Sequence, residues 1–170
     1  MANKFSKPQR GERFGGGFAT VGHSYTQLYY HIVFSTKGRR RFIDAKIEDR
    51  LHNTLRGIVR KLEGIPLEVN GIEDHVHIVA SLPAKVAVAK ALATIKANSS
   101  GWVHKTWPDR QTFSWQTGYG AFSVSQSQLE VVREYVRDQK EHHKTMTFEE
   151  EYIKLLQKHQ IEYDPRFVFD

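Results

Sequence analysis

Cysteine does not occur among the 170 residues. Disulfides, thiolate metal ligands and catalytic thiols are therefore excluded. No apolar run reaches the roughly 18 residues that a spanning helix needs, so a membrane span is not expected. Nothing near Met1 has the charged-then-apolar layout of a secretory signal, and a cytoplasmic setting is the expectation. Internal repeats are missing, as is the His-Glu-x-x-His helix of zinc proteases. What remains is a chain of single-domain length, long enough to bury a core.

The net charge is +6 and unevenly spread. Residues 1–24 are rich in Gly and cations with no apolar period, which reads as a flexible basic arm. The acidic segment 147–170 offsets that arm, so the body between them holds the full excess of cations. Such a body suits a phosphate-bearing partner. Three consecutive arginines in a turn, Arg39, Arg40 and Arg41, are the candidate phosphate contacts.

Periodicity gives the elements. Thr26–Thr36 is aromatic and β-branched, a strand. Lys46–Glu63 has apolar residues at helical spacing, with Gly64 as its cap and Pro66 barring continuation. Leu67–Ile72 and His75–Leu82 read as strands around a tight turn. Lys85–His104 reads as a helix, Phe113–Ser125 as a strand interrupted by Gly118 and Gly120, and Gln126–Lys144 as a helix capped by Ser125 or Ser127. A short helix over Phe148–His159 follows. The order β-α-β-β-α-β-α-α implies an α+β fold: a ferredoxin-like antiparallel sheet with helices on one face and helical additions at the C-terminus. The expected divisions are 1–24, 25–147 and 148–170.

Two segments carry chemistry. In "EDHVHIVASLP" His75 and His77 alternate, so they stand side by side on one strand face. They are either a wet polar pair or two metal ligands. In "VVREYVRDQKEHHK" Val132 and Val136 form a core stripe, and Tyr135 and Gln139 lie one turn apart on its flank. His142 shares that flank, while His142 and His143 also suit a helix C-terminus.

The combination resembles the single-tyrosine His-x-His transposases of small bacterial insertion sequences and the related REP-associated tyrosine transposases. The resemblance runs through "YYHIVFSTKGRR", "GIEDHVHIVASLP", "WQTGYGAFSVS" and "YVRDQKEHH", about Tyr25 to Phe148. It implies a metal-dependent transposase that cuts and rejoins single-stranded DNA beside hairpins. His75 and His77 match the paired metal ligands, Gln139 the third ligand and Tyr135 the nucleophile. Mg²⁺ is the implied cofactor, with Mn²⁺ able to substitute. In that family the tyrosine helix of one subunit completes the histidine pair of the other, so a homodimer with shared sites is implied; a monomer acting in cis is the alternative. The arm before Tyr25 departs from the pattern.

The chemistry is coherent. A phenol with a pKa near 10 attacks an anionic diester poorly. A cation held by neutral imidazoles and an amide keeps most of its charge for the phosphate. Attack by Tyr135 would give a 5′-phosphotyrosine and a free 3′-hydroxyl, and the stored bond lets rejoining proceed without ATP. A rival reading takes "TGYGAFSVS" as a variant of the Gly-aromatic-Gly-Phe signature of a ferredoxin-like RNA-binding module. Such a module has no use for the His75–His77 and Tyr135–Gln139 pairs.

Overall fold

A computed structural model describes residues 25–169; the expected arm over 1–24 lies outside them. The elements are β1 (Tyr29–Ser35), α1 (Glu48–Lys61), β2 (Ile65–Ile72), β3 (His75–Ser81), α2 (Val88–Thr106), β4 (Gly120–Val124), α3 (Leu129–Arg137), α4 (Gln139–His142) and α5 (Phe148–Lys158). The sheet order is β2-β3-β1-β4, with every neighbouring pair antiparallel. This is the ferredoxin-like arrangement that the element order implies.

Strand alternation sorts the side chains into two cores. Ile32, Phe34, Val76, Ile78 and Ala80 point to one face, where α1 and α2 cover them with Leu51, Leu55, Leu92 and Ile95. Val33, Val79 and Phe122 point to the other. There α3 packs Leu129 and Val136 on Val79, while α5 packs Phe148, Tyr152, Leu155 and Leu156 on Val33 and Phe122. The helices on one face are thus α1 and α2, and the C-terminal additions close the opposite face. No helix among the described residues is long and apolar enough to cross a membrane.

Several boundaries differ from the periodic reading. β2 begins at Ile65 and accommodates Pro66, because it is an edge strand whose register shifts between Pro66 and Glu68. Helix α1 ends in a Schellman motif: Glu63 N–H bonds Arg60 O at 2.9 Å and Gly64 N–H bonds Val59 O at 3.0 Å. The left-handed residue is Glu63 (φ 61°) rather than Gly64. Gly64 is required by contact, since a Cβ there would lie 2.8 Å from the Ser81 carbonyl oxygen.

The strand expected over Phe113–Ser125 is paired only over Gly120–Val124. Phe113 and Trp115 are aromatic because they fill the core, not because they extend a ladder; a single bridge links Thr36 to Trp115. The helix expected over Gln126–Lys144 is divided. A 3₁₀ turn covers Gln126–Gln128, and neither Ser125 nor Ser127 caps α3. A break at Asp138 has a visible cause. The Asn70 side-chain amide donates to Arg137 O at 2.7 Å, and the Glu141 N–H bonds Asp138 O instead.

Phe34 is fully buried at the centre of the larger core and meets Trp115 edge-on at 4.8 Å. We expect Phe34→Ala to cost about 3–5 kcal/mol in urea unfolding. A cost under about 1 kcal/mol would contradict this packing.

Candidate active site

β1 and β3 build the floor of the site. Their register sets His31 opposite Val79, Val33 opposite His77, and Ser35 opposite His75, all on the face that α3–α5 cover. His75 and His77 are completely buried, and His31 is nearly so. Each histidine of the pair is oriented by a neighbour. Asp74 Oδ1 lies 2.7 Å from His75 Nδ1, and His31 Nε2 lies 2.9 Å from His77 Nδ1. Both contacts turn the Nε2 atoms toward α3–α5, as outer partners of metal-binding histidines do.

The helices supply the roof. Gln139, buried at the start of α4, places Oε1 3.2 Å from His75 Nε2 and donates from Nε2 to Glu151 Oε1 at 2.8 Å. The Tyr135 hydroxyl donates to the same Glu151 oxygen. The other oxygen, Oε2, lies 3.2 Å from His77 Nε2, 3.0 Å from His143 Nε2 and 3.6 Å from His75 Nε2. A capping box at Thr147 and Glu150 starts α5 and sets its first turn. Glu151 is 1 % exposed. Its described partners include no lysine or arginine.

A buried carboxylate without a strong cation is costly, and the titration of its surroundings shows the response. Burial alone would raise the Glu151 carboxyl; the attraction of His77 and hydrogen bonds from His143, His77 and Tyr135 outweigh it and pull it well below the usual range. Burial lowers His31 and His77. His143 is raised: its hydrogen bond to Glu151 and the charge of that carboxylate overcome burial. Burial and the Glu151 charge push the Tyr135 phenol far up, so it holds its proton.

The donor set fits a divalent cation. Ligand atoms of His75, His77, His143 and Glu151 all lie within 4.8 Å of one another. Asp74 on Nδ1 leaves His75 Nε2 facing Gln139 Oε1 and Glu151 Oε2, an arrangement that a cation shared by the three would suit. Three imidazoles, an amide oxygen and a carboxylate suit Mn²⁺ more closely than oxygen-preferring Mg²⁺.

The family profile of IS200-like transposases matches residues 24–139. The chain belongs to the IS200-like transposase family. The transposase of insertion sequence IS200 from Salmonella typhimurium is 25% identical over 134 residues, covering 76% of this chain and 88% of the relative. The ISDra2 transposase TnpA of Deinococcus radiodurans is 26% identical over 125 residues, 69% and 87% of the two chains. The fold is similar to that of a candidate transposase of Deinococcus radiodurans (TM-score 0.58, 18% identity, 72% of this chain and 98% of that one). It is also similar to a REP-associated tyrosine transposase solved with a REP hairpin (TM-score 0.55, 12% identity, 74% of each).

In this IS200-like transposase the four residues singled out by sequence, His75, His77, Tyr135 and Gln139, converge on one buried carboxylate. Glu151 and His31 escaped the sequence reading, which places His143 only at a helix C-terminus. The signals existed. Glu151 falls on the apolar stripe of α5 with Phe148, Tyr152 and Leu155, where a charge is out of place. His143 continues the core stripe of Val132 and Val136. His31 sits mid-strand on the face that His77 shares. His142 instead lies against the Tyr135 ring, with centroids 4.8 Å apart.

The arginine turn lies at the His75 end of the sheet, and its members are engaged differently. Arg39 pairs with Glu149 of α5, Arg40 stacks over Phe42 at 4.4 Å, and Arg41 is largely exposed, 3.5 Å from Glu73.

We expect Glu151→Gln to weaken Mn²⁺ binding at least tenfold by titration calorimetry. Unchanged affinity would remove Glu151 from the ligand set.

Proposed function

We propose that this transposase cleaves and rejoins single-stranded DNA beside hairpins through a Tyr135 phosphodiester. The observation that carries the reading is the Tyr135 hydroxyl held on the same carboxylate that gathers His75, His77 and Gln139. Tyr135 is the nucleophile; His75, His77 and Gln139 hold a divalent ion, joined by Glu151 and His143. The ion is Mg²⁺ or Mn²⁺, and when bound it polarises the scissile phosphate and offsets the negative charge of Glu151. The residues of the chain then divide the remaining work. Asp74 and His31 fix the orientation of the two floor histidines. Tyr135 forms its Oη–P bond as the P–O3′ bond breaks, leaving a 5′-phosphotyrosine and a 3′-hydroxyl; the phenol proton has the Glu151 carboxylate beside it. The α5 helix excludes water from the histidine floor. The working unit on this reading runs through α5 rather than ending at residue 147.

A hairpin ligand is supported by the REP hairpin held by the solved neighbour and by the basic body of this chain. Arg41, exposed and paired with Glu73 only at 3.5 Å, is the foremost phosphate contact. The RNA-binding alternative loses its main support at Phe122. That ring would have to stack a base, yet it is 2 % exposed and lies under α5, 4.3 Å from the His159 ring.

Two assemblies satisfy the chemistry: a homodimer with exchanged tyrosine helices, and a site built in cis. The connection from β4 to α3 is short, residues 125–128, which bears on how far the tyrosine helix could reach into a partner.

We expect Tyr135→Phe to abolish cleavage and the covalent adduct on single-stranded hairpin DNA while hairpin binding stays within a few-fold of wild type. An adduct with the Phe variant would remove Tyr135 from its role. His75→Ala and His77→Ala each lose metal and cleavage without unfolding; full activity in either would make the histidines structural. Mixing the double variant His75→Ala/His77→Ala with Tyr135→Phe distinguishes the assemblies. A cis site leaves the mixture inactive, and recovered cleavage would establish exchanged helices.

A further inference from the structure

A cavity of about 500 Å³ opens between α3 and α5 at the end of β4. This volume lies within the range of pockets that enclose small organic ligands. Its inner wall contains Tyr135, Glu151 and His31, so the cavity is a route from the surface to the nucleophile. Its sides are apolar, from Val124, Val131, Val132 and Leu155. Val131 is 57 % exposed, an apolar side chain left at the rim with no core to fill. Lys154 and Lys158 of α5 also line the cavity, and neither forms an ion pair among the described residues. The three features belong together only for one class of occupant: a flat, mostly apolar ring with polar edges, tied to a phosphate. That class is a nucleotide.

We infer that the cavity between α3 and α5 is a nucleotide subsite that takes the unpaired base adjoining the scissile phosphate, with Lys154 and Lys158 on the DNA backbone. The inference rests on the transposase reading and adds where the strand lies and what α5 is for. The ring stacks between Val131 and Leu155, and the lysines draw the neighbouring phosphates to the cavity mouth. Ser123, Ser125 and Gln128 offer hydroxyls and an amide to the base edge. With its base anchored there, the strand presents its phosphate to Tyr135 instead of sliding past it. Much of this wall comes from α5, which lies beyond the stretch that the family profile matches.

The test combines a blocked pocket with a base-free substrate. Val131→Trp fills the mouth from an exposed position and leaves Tyr135, Glu151 and the histidines untouched. Cleavage of single-stranded hairpin substrates with an abasic residue at each position flanking the cut is compared in wild type and variant. One abasic position should slow wild-type cleavage at least tenfold. Val131→Trp should slow cleavage of the intact strand to a similar degree and add little on that abasic strand. Lys154→Glu/Lys158→Glu should raise the KM for DNA at least fivefold and flatten its salt dependence. An abasic scan without effect, or additive losses in Val131→Trp, would overturn the subsite while leaving the transposase reading intact. Absence of wild-type cleavage on every substrate would instead defeat the transposase reading. The pocket would then be judged by 2-aminopurine placed in a single strand. A fluorescence rise on binding, as the probe leaves its stacked neighbours, that Val131→Trp abolishes supports the subsite, and a change indifferent to the variant overturns it.

Discussion

The buried carboxylate of Glu151 organises this structure. One oxygen takes Tyr135 and Gln139, and the other lies among His75, His77 and His143. A charge this deep, lacking any lysine or arginine among its described partners, is destabilising unless donors surround it or a cation joins it. The fold meets that demand from four elements: the floor histidines from β3, Tyr135 from α3, Gln139 from α4 and the carboxylate from α5. His143 follows α4. Satisfying one charge therefore gathers α3, α4 and α5 over the histidine face of the sheet. Burial, with the Glu151 charge beside it, keeps the Tyr135 phenol protonated.

The sheet makes this possible through its alternation. On β1 and β3 the residues of one face are aliphatic and aromatic, whereas the other face sets His31, Ser35, His75 and His77 beside Val33 and Val79. A one-residue slip in register would place the histidines in the large core and the aliphatics in the site. Both edges are short or interrupted, and Pro66 marks one of them. The two faces thus separate stability from chemistry. Substitutions in the α1–α2 core act on folding, whereas those under α3–α5 act on folding and on the site together.

The division explains what could be read from the sequence. Strand and helix order, and with them the ferredoxin-like topology, follow from periodicity, which is local. His75 and His77 were legible because alternation on one strand fixes their common face, and Tyr135 and Gln139 because one helical turn does the same. The pairing of these two sets was legible only through family resemblance. Glu151 was hidden because it comes from an acidic-looking helix start, Glu149 to Glu151, where a half-buried and an exposed glutamate mask a buried one. The break at Asp138 was invisible because its cause, Asn70, lies on β2, 67 residues from the Arg137 carbonyl it binds. Phe113 and Trp115 misled because β-prone residues also fill cores.

The central claim is that Glu151, His75, His77 and Gln139 share one cation within reach of Tyr135. Anomalous scattering at the manganese edge, from crystals grown with Mn²⁺, tests it most directly. The account predicts one strong peak bonded to Nε2 of His75 and His77 and to the Glu151 carboxylate, with the Tyr135 hydroxyl beside it. A site without density at saturating Mn²⁺, or an ion bound only by exposed carboxylates elsewhere, would contradict it.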